Sequence, residues 1–138
     1  MDSKPFKIMV ALVLRGDEKP VISQSVFFAE KLNADLTVIH VNQPVLSQPK
    51  GMALERINEE TIRERITAYG FQKILNKINI IIESGESVSE IINQHARDMD
   101  LIILGHRKMN TFKSNIMDSI DEGISNLVTA PVLIVQKN

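Results

Sequence analysis

Short apolar runs recur along the chain at residues 8–14 (IMVALVL), 36–41 (LTVIHV), 78–82 (INIII), 101–104 (LIIL) and 132–135 (VLIV). Each is rich in β-branched residues and too short for a stable helix. A run that is apolar on both faces fits a strand buried on both sides of a sheet. Helical patterns lie between them. Residues 20–33 open with Pro20, suited to a first turn, and present Ile22, Val26 and Ala29 on one broad face. Residues 53–75 carry Ile62, Ile66 and Tyr69 on one side, with Gly70 as a point of bending or termination. Ser87-Val88-Ser89-Glu90 has the form of a capping box, followed by Ile91, Ile92, Ala96 and Met99. A last helix is expected from Asp118 or Ser119 through Ile120, Ile124 and Leu127.

The resulting order, β-α-β-α-β-α-β-α-β, predicts an α/β fold: a five-stranded parallel sheet with helices on both faces and right-handed crossovers. In such sheets ligands bind beyond the C-terminal strand ends, where the strand order reverses. Those ends are Leu14-Arg15-Gly16-Asp17, Val41-Asn42-Gln43-Pro44, Glu83-Ser84-Gly85 and Gly105-His106-Arg107-Lys108. Residues 42–52 contain Pro44, Pro49 and Gly51 and are long for a loop, which suggests a lid.

Composition narrows the classes. Length predicts one domain, 1–138, able to bury a core. Sixteen basic and seventeen acidic residues leave a net charge of −1, so no global field favours nucleic acid. With no cysteine, thiolate catalysis, disulfides and cysteine-ligated zinc are ruled out. The N-terminal residues lack the apolar stretch of a signal peptide and no segment reaches the length of a membrane span, so the expectation is a cytoplasmic protein without membrane contact.

Four collinear segments resemble the universal stress proteins of UspA type. They are Lys7-Ile8-Met9-Val10-Ala11-Leu12; Ala34-Asp35-Leu36-Thr37-Val38-Ile39-His40-Val41; Glu83-Ser84-Gly85-Glu86-Ser87-Val88-Ser89-Glu90-Ile91-Ile92 with Ala96 and Asp100-Leu101-Ile102-Ile103-Leu104-Gly105; and residues 119–135, ending Ala130-Pro131-Val132-Leu133-Ile134-Val135. The resemblance implies a Rossmann-like fold of the adenine nucleotide alpha hydrolase type. ATP-binding members carry a loop G-x2-G-x9-G-[S/T] after the fourth strand, in which glycines admit phosphates to the backbone. The register here gives Gly105, Lys108, Asp118 and Ser119. Lysine and aspartate replace the second and third glycines. The aspartate that would hold the ribose after the first strand corresponds to Val13, and Asp17 lies four residues further on. Val13, Val41, Gly105, Lys108, Asp118 and Ser119 therefore form a degenerate nucleotide site. Asp118 adds repulsion near phosphates, whereas Lys108, with Arg107 and Lys113 nearby, adds attraction.

The loop has two readings. It is either a modified anion or nucleotide site using Gly105, Lys108, Ser114 and Ser119, or a solvated connection in which Asp118 caps the last helix. His40 reads as a structural histidine at a strand end. His95, on a helix, and His106, in the loop, match no metal spacing. A phospho-receiver has acidic residues where Asp17 and Glu18 stand and needs a lysine after the fifth strand, where the chain reads Gln136-Lys137-Asn138 with no helix to follow, so it is not expected. It also needs an aspartate after the third strand, where Ile82-Glu83-Ser84-Gly85 stands. Neither a nucleophile elbow nor a Walker loop occurs. Residues Val132, Leu133, Ile134 and Val135 form a last apolar strand with nothing following to cover its edge; the resemblance implies a homodimer through it. The reading is a non-catalytic homodimeric stress-response domain, acting through partner binding, without tight ATP binding and with no cofactor expected. The alternative is a nucleotide-binding member acting as a slow hydrolase or switch, with ATP in the cleft between the first and fourth strands. A different small anionic ligand in that cleft is a third reading.

Overall fold

The computed structural model describes residues 4–14, 16–44, 56–106 and 129–137. Its sheet contains β1 (Lys7–Ala11), β2 (Asp35–Asn42), β3 (Ile78–Ser84), β4 (Leu101–His106) and β5 (Val132–Gln136), all parallel, in the order β3-β2-β1-β4-β5. The expected α/β sheet is thus present. Central strands obey the double-sided burial argument: Ile8, Met9 and Val10 of β1 are at most 1% exposed. The edges do not. Val132, Leu133, Ile134 and Val135 are only half-buried, because no further strand flanks them among the described residues. The first apolar run is also longer than its strand. Strand β1 ends at Ala11, and residues 12–14 follow as a loop.

Helix ends follow local chemistry. In α1 (Lys19–Lys31) Pro20 sits in the first turn, where its missing N–H costs nothing. Asn33 ends it in the left-handed region (φ 48°), with Ala34 N–H donating to Ala29 O (2.8 Å) and Asn33 N–H to Glu30 O (3.3 Å). The second helix starts later than its apolar pattern suggests. Asn58 caps α2 (Glu59–Ala68) by accepting from the Thr61 N–H, so residues 56–58 are not helical. Gly70, at φ 93°, ends the segment, and a short 3-10 turn, Gln72–Asn76, leads to β3. Ser87 caps α3 (Val88–Ala96) by accepting from the Glu90 N–H at 3.4 Å. The expected helix from Asp118 or Ser119 to Leu127, and residues 45–52 of the suggested lid, lie outside the described residues.

Two cores flank the sheet. Ile8, Val10 and Val38 pack with Val21 and Ile22 of α1 and Ile62 and Ile66 of α2. Met9, Ile39, Ile102 and Leu104 pack on the other side with Ile92 and Ala96 of α3. This sidedness follows from handedness. Successive right-handed crossovers run outward from β1 to β3, and the chain then returns past β1 to β4, which puts α3 on the opposite face.

Candidate ligand cleft at the strand switch point

Strand order reverses between β1 and β4, where Ala11 pairs with Leu104. The C-terminal ends of β2, β1 and β4 bring Val41, Val13 and Gly105 to the same end of the sheet. They are not equivalent there. Val41 is 8% exposed and its side chain is committed to the α3-side core. Val13 is 44% exposed, between Leu12 and Leu14, which are both buried in the α1-side core. The sequence candidates Lys108, Asp118 and Ser119 lie outside the described residues. His106, expected in a loop, is the last residue of β4.

The loop after β1 is held from several directions. Leu12 N–H still donates to Ile39 O (3.0 Å), and Leu12 O accepts from His40 Nδ1 at 2.7 Å. A carbonyl only accepts, so Nδ1 carries a hydrogen. His40 is 8% exposed, and its role here is to hold a loop. Leu14 adopts φ 62°, an uncommon conformation for a bulky residue, and burial of its side chain in the α1-side core holds it there.

Both carboxylates that follow β1 turn inward. Glu18 is fully buried. Its two oxygens accept from the Gly16 N–H at 3.1 and 3.0 Å, and Tyr69 O–H and Arg65 Nη1 of the α2 segment approach Oε2 at 3.5 and 3.8 Å. Helical side chains lean toward the N-terminus, which lets Arg65 and Tyr69 reach back to the start of α1. Asp17 Oδ1 lies 3.4 Å from Lys137 Nζ, and the Lys137 side chain is only 8% exposed. Lys137 N–H also donates to His106 O (3.0 Å).

Gly105 sits beneath that lysine. A Cβ added to it would come 2.5 Å from Lys137 Cε and 2.6 Å from Val21 Cγ2. Helix α1 and the lysine stem therefore approach β4 so closely that any side chain there would displace Lys137 or Val21, a packing reason for glycine independent of any phosphate. On the other side of the cleft, Asn42 grips the backbone of Ile57 in both directions, Nδ2 donating to Ile57 O (2.8 Å) and Oδ1 accepting from Ile57 N–H (3.0 Å). Arg56 Nη2 donates to Ser84 Oγ (3.0 Å), and His95 Nε2 lies 3.3 Å from Glu83 Oε2. Among the described residues no three His, Asp or Glu side chains gather as a metal site. The receiver arrangement fails as well, since the strand beside β1 at the switch point is β4, which ends in Gly105 and His106 with no acceptor aspartate.

Sequence reasoning missed Lys137, Glu18 and Asn42 as organisers of the cleft. Their signal was faint: charged or amide residues at strand and helix ends, which usually read as solvated.

Residues 6–136 match the model of the universal stress protein family. The chain belongs to the universal stress protein family. Universal stress protein YxiE of Bacillus subtilis (strain 168) is 25% identical over 146 aligned positions, covering 94% of this chain and 98% of that protein. Among solved structures, a universal stress protein in complex with cAMP superposes with a TM-score of 0.66 at 18% identity, over 99% of this chain and 100% of that one. UspA from Lactobacillus plantarum gives 0.63 at 15% identity, over 97% and 99%. An Archaeoglobus fulgidus member in complex with dAMP gives 0.57 at 16% identity, over 94% and 97%. These likenesses establish the fold. Among the described residues no helix is long and apolar enough to cross a membrane.

Proposed function

We propose that this universal stress protein is a non-catalytic, homodimeric stress-response module whose cleft does not hold ATP tightly. The observation that carries the reading is the fate of the carboxylates after β1. The Val13 side chain offers no acceptor for a ribose hydroxyl. Asp17 cannot take over that role from its present position, because it faces Lys137 at 3.4 Å, and Glu18 is buried against Gly16. Loss of a hydrogen-bonding group in a site built for it lowers affinity steeply. Homodimerisation through β5 is supported by the half-buried apolar run Val132, Leu133, Ile134 and Val135 at a sheet edge, a surface suited to pairing with a second copy.

Calorimetry with ATP, ADP and AMP, each with magnesium, tests the ligand half. Millimolar or weaker ATP binding is expected, and micromolar binding overturns it. Light scattering tests the assembly half, where a monomer at micromolar concentration overturns the dimer.

A second reading is favoured by the solved relatives in complex with cAMP and dAMP. A small adenine nucleotide would occupy the same cleft, and the protein would act as a nucleotide-responsive switch. Micromolar AMP or cAMP binding without ATP binding would select it.

A further inference from the structure

We infer that Lys137 is a positioning residue of the cleft: acting from β5 through Asp17, it sets the path of the loop that follows β1 and carries Val13. Three contacts converge on this one residue. Its backbone N–H is fixed to His106 O at 3.0 Å, extending the pairing of β4 with β5. Its stem lies over Gly105, which Val21 of α1 also approaches. Its ammonium is 3.4 Å from Asp17 Oδ1, and the side chains are 8% and 23% exposed.

A nearly buried ammonium requires a partner, so the pair resists separation. Asp17 also sits just before α1, where a carboxylate is favoured by the helix dipole and an unpaired lysine is not. The loop after β1 is consequently held between two strands that it does not belong to. His40 of β2 holds Leu12 on one side, and Lys137 beyond β5 holds Asp17 on the other. Because Lys137 follows directly on the edge strand, a change in the packing of β5 moves the same loop that borders the switch point. This links the β5 edge with the ligand cleft through the Lys137–Asp17 ion pair.

The test uses the full chain and two readouts. Hydrogen–deuterium exchange is measured for wild type, Lys137→Met, Asp17→Asn and the double variant. Methionine retains the stem over Gly105 and removes the charge. Either single change should speed exchange of residues 12–18 about tenfold, as local opening becomes easier. Exchange in β3 and α3 should stay as in wild type. The double variant should add nothing, and Lys137→Arg should restore most of the protection. Unchanged exchange at 12–18, acceleration spread evenly over the chain, or additive single effects would each overturn the inference. The second readout is AMP titration, and this arm rests on the nucleotide reading. Where wild type binds AMP, Lys137→Met should weaken it at least about threefold, as loosening a binding loop adds an ordering cost. Equal AMP affinity in the two proteins overturns the link to the cleft. If wild type binds no AMP, the nucleotide reading fails, and the exchange data alone decide the role of Lys137.

Discussion

Replacing Glu18 by alanine removes a carboxylate that is completely shielded from water. Its oxygens accept from Gly16 N–H at 3.1 and 3.0 Å, so the variant leaves the backbone donor of Gly16, an exposed residue, without that acceptor. A hydrogen bond to a charged group contributes about 1.5–3 kcal/mol, while water can replace the acceptor at an exposed glycine. The Arg65 contact adds little. It spans 3.8 Å and Arg65 is 34% exposed, so solvent screening holds it to about 1 kcal/mol or less. Against these losses, the variant no longer desolvates a charge. We expect Glu18→Ala to lose about 1–3 kcal/mol in urea unfolding. This corresponds to a fall of roughly 3–12 °C in Tm for a domain of this size. Glu18→Gln keeps the shape and one acceptor oxygen and should lose about half as much, while Arg65→Met should lose least. The order Ala, Gln, Arg65→Met is the discriminating result. An alanine variant within about 0.5 kcal/mol of wild type would refute the reasoning, since that is the range of an ordinary surface change.

Two further outcomes follow from contacts around the cleft. His40→Ala should cost about 1–2 kcal/mol by freeing Leu12 O, and should raise exchange of the loop after β1 more than that of β3; a silent substitution would mean the bond contributes nothing. Gly105→Ala should destabilise by about 1–3 kcal/mol through overpacking against Lys137 and Val21, and Lys137→Ala in the same chain should recover part of the loss; an alanine variant as stable as wild type would show that α1 gives way freely.

Most of the fold could be read from residue order because the signals were local. The apolar runs at Ile8, Leu36, Ile78, Leu101 and Val132 each became a strand, and Ser87 capped the helix that its spacing with Glu90 predicts. What escaped depends on side chains meeting across the fold. The apolar run through Leu12 and Leu14 looks like continued strand, yet Leu12 and Leu14 serve the core from a loop. The later start of α2 rests on Asn58 outweighing an apolar periodicity that extends upstream of it. The cleft was legible only in outline. Val13, Val41 and Gly105 do reach one end of the sheet, but nothing local marks Asp17 and Lys137 as partners, because their contact exists only once β4 lies between β1 and β5.

The place of β1 at the centre of the sheet shapes how the protein is made. Lys7 N–H meets the Asp100 carboxylate across 93 residues of sequence. During synthesis β1, β2 and β3 can pair with α1 and α2 already in hand, yet the β4 side of β1 stays open until α3 and β4 have emerged. That open side belongs to a strand whose Ile8, Met9 and Val10 are fully buried in the finished protein. Long-range parallel pairing is slow to form, and an unpaired apolar edge is prone to wrong association while it waits. The segment from β3 to β4 is therefore where delay is most hazardous, and variants that slow α3 formation should lower soluble yield more than they lower the stability of the finished protein.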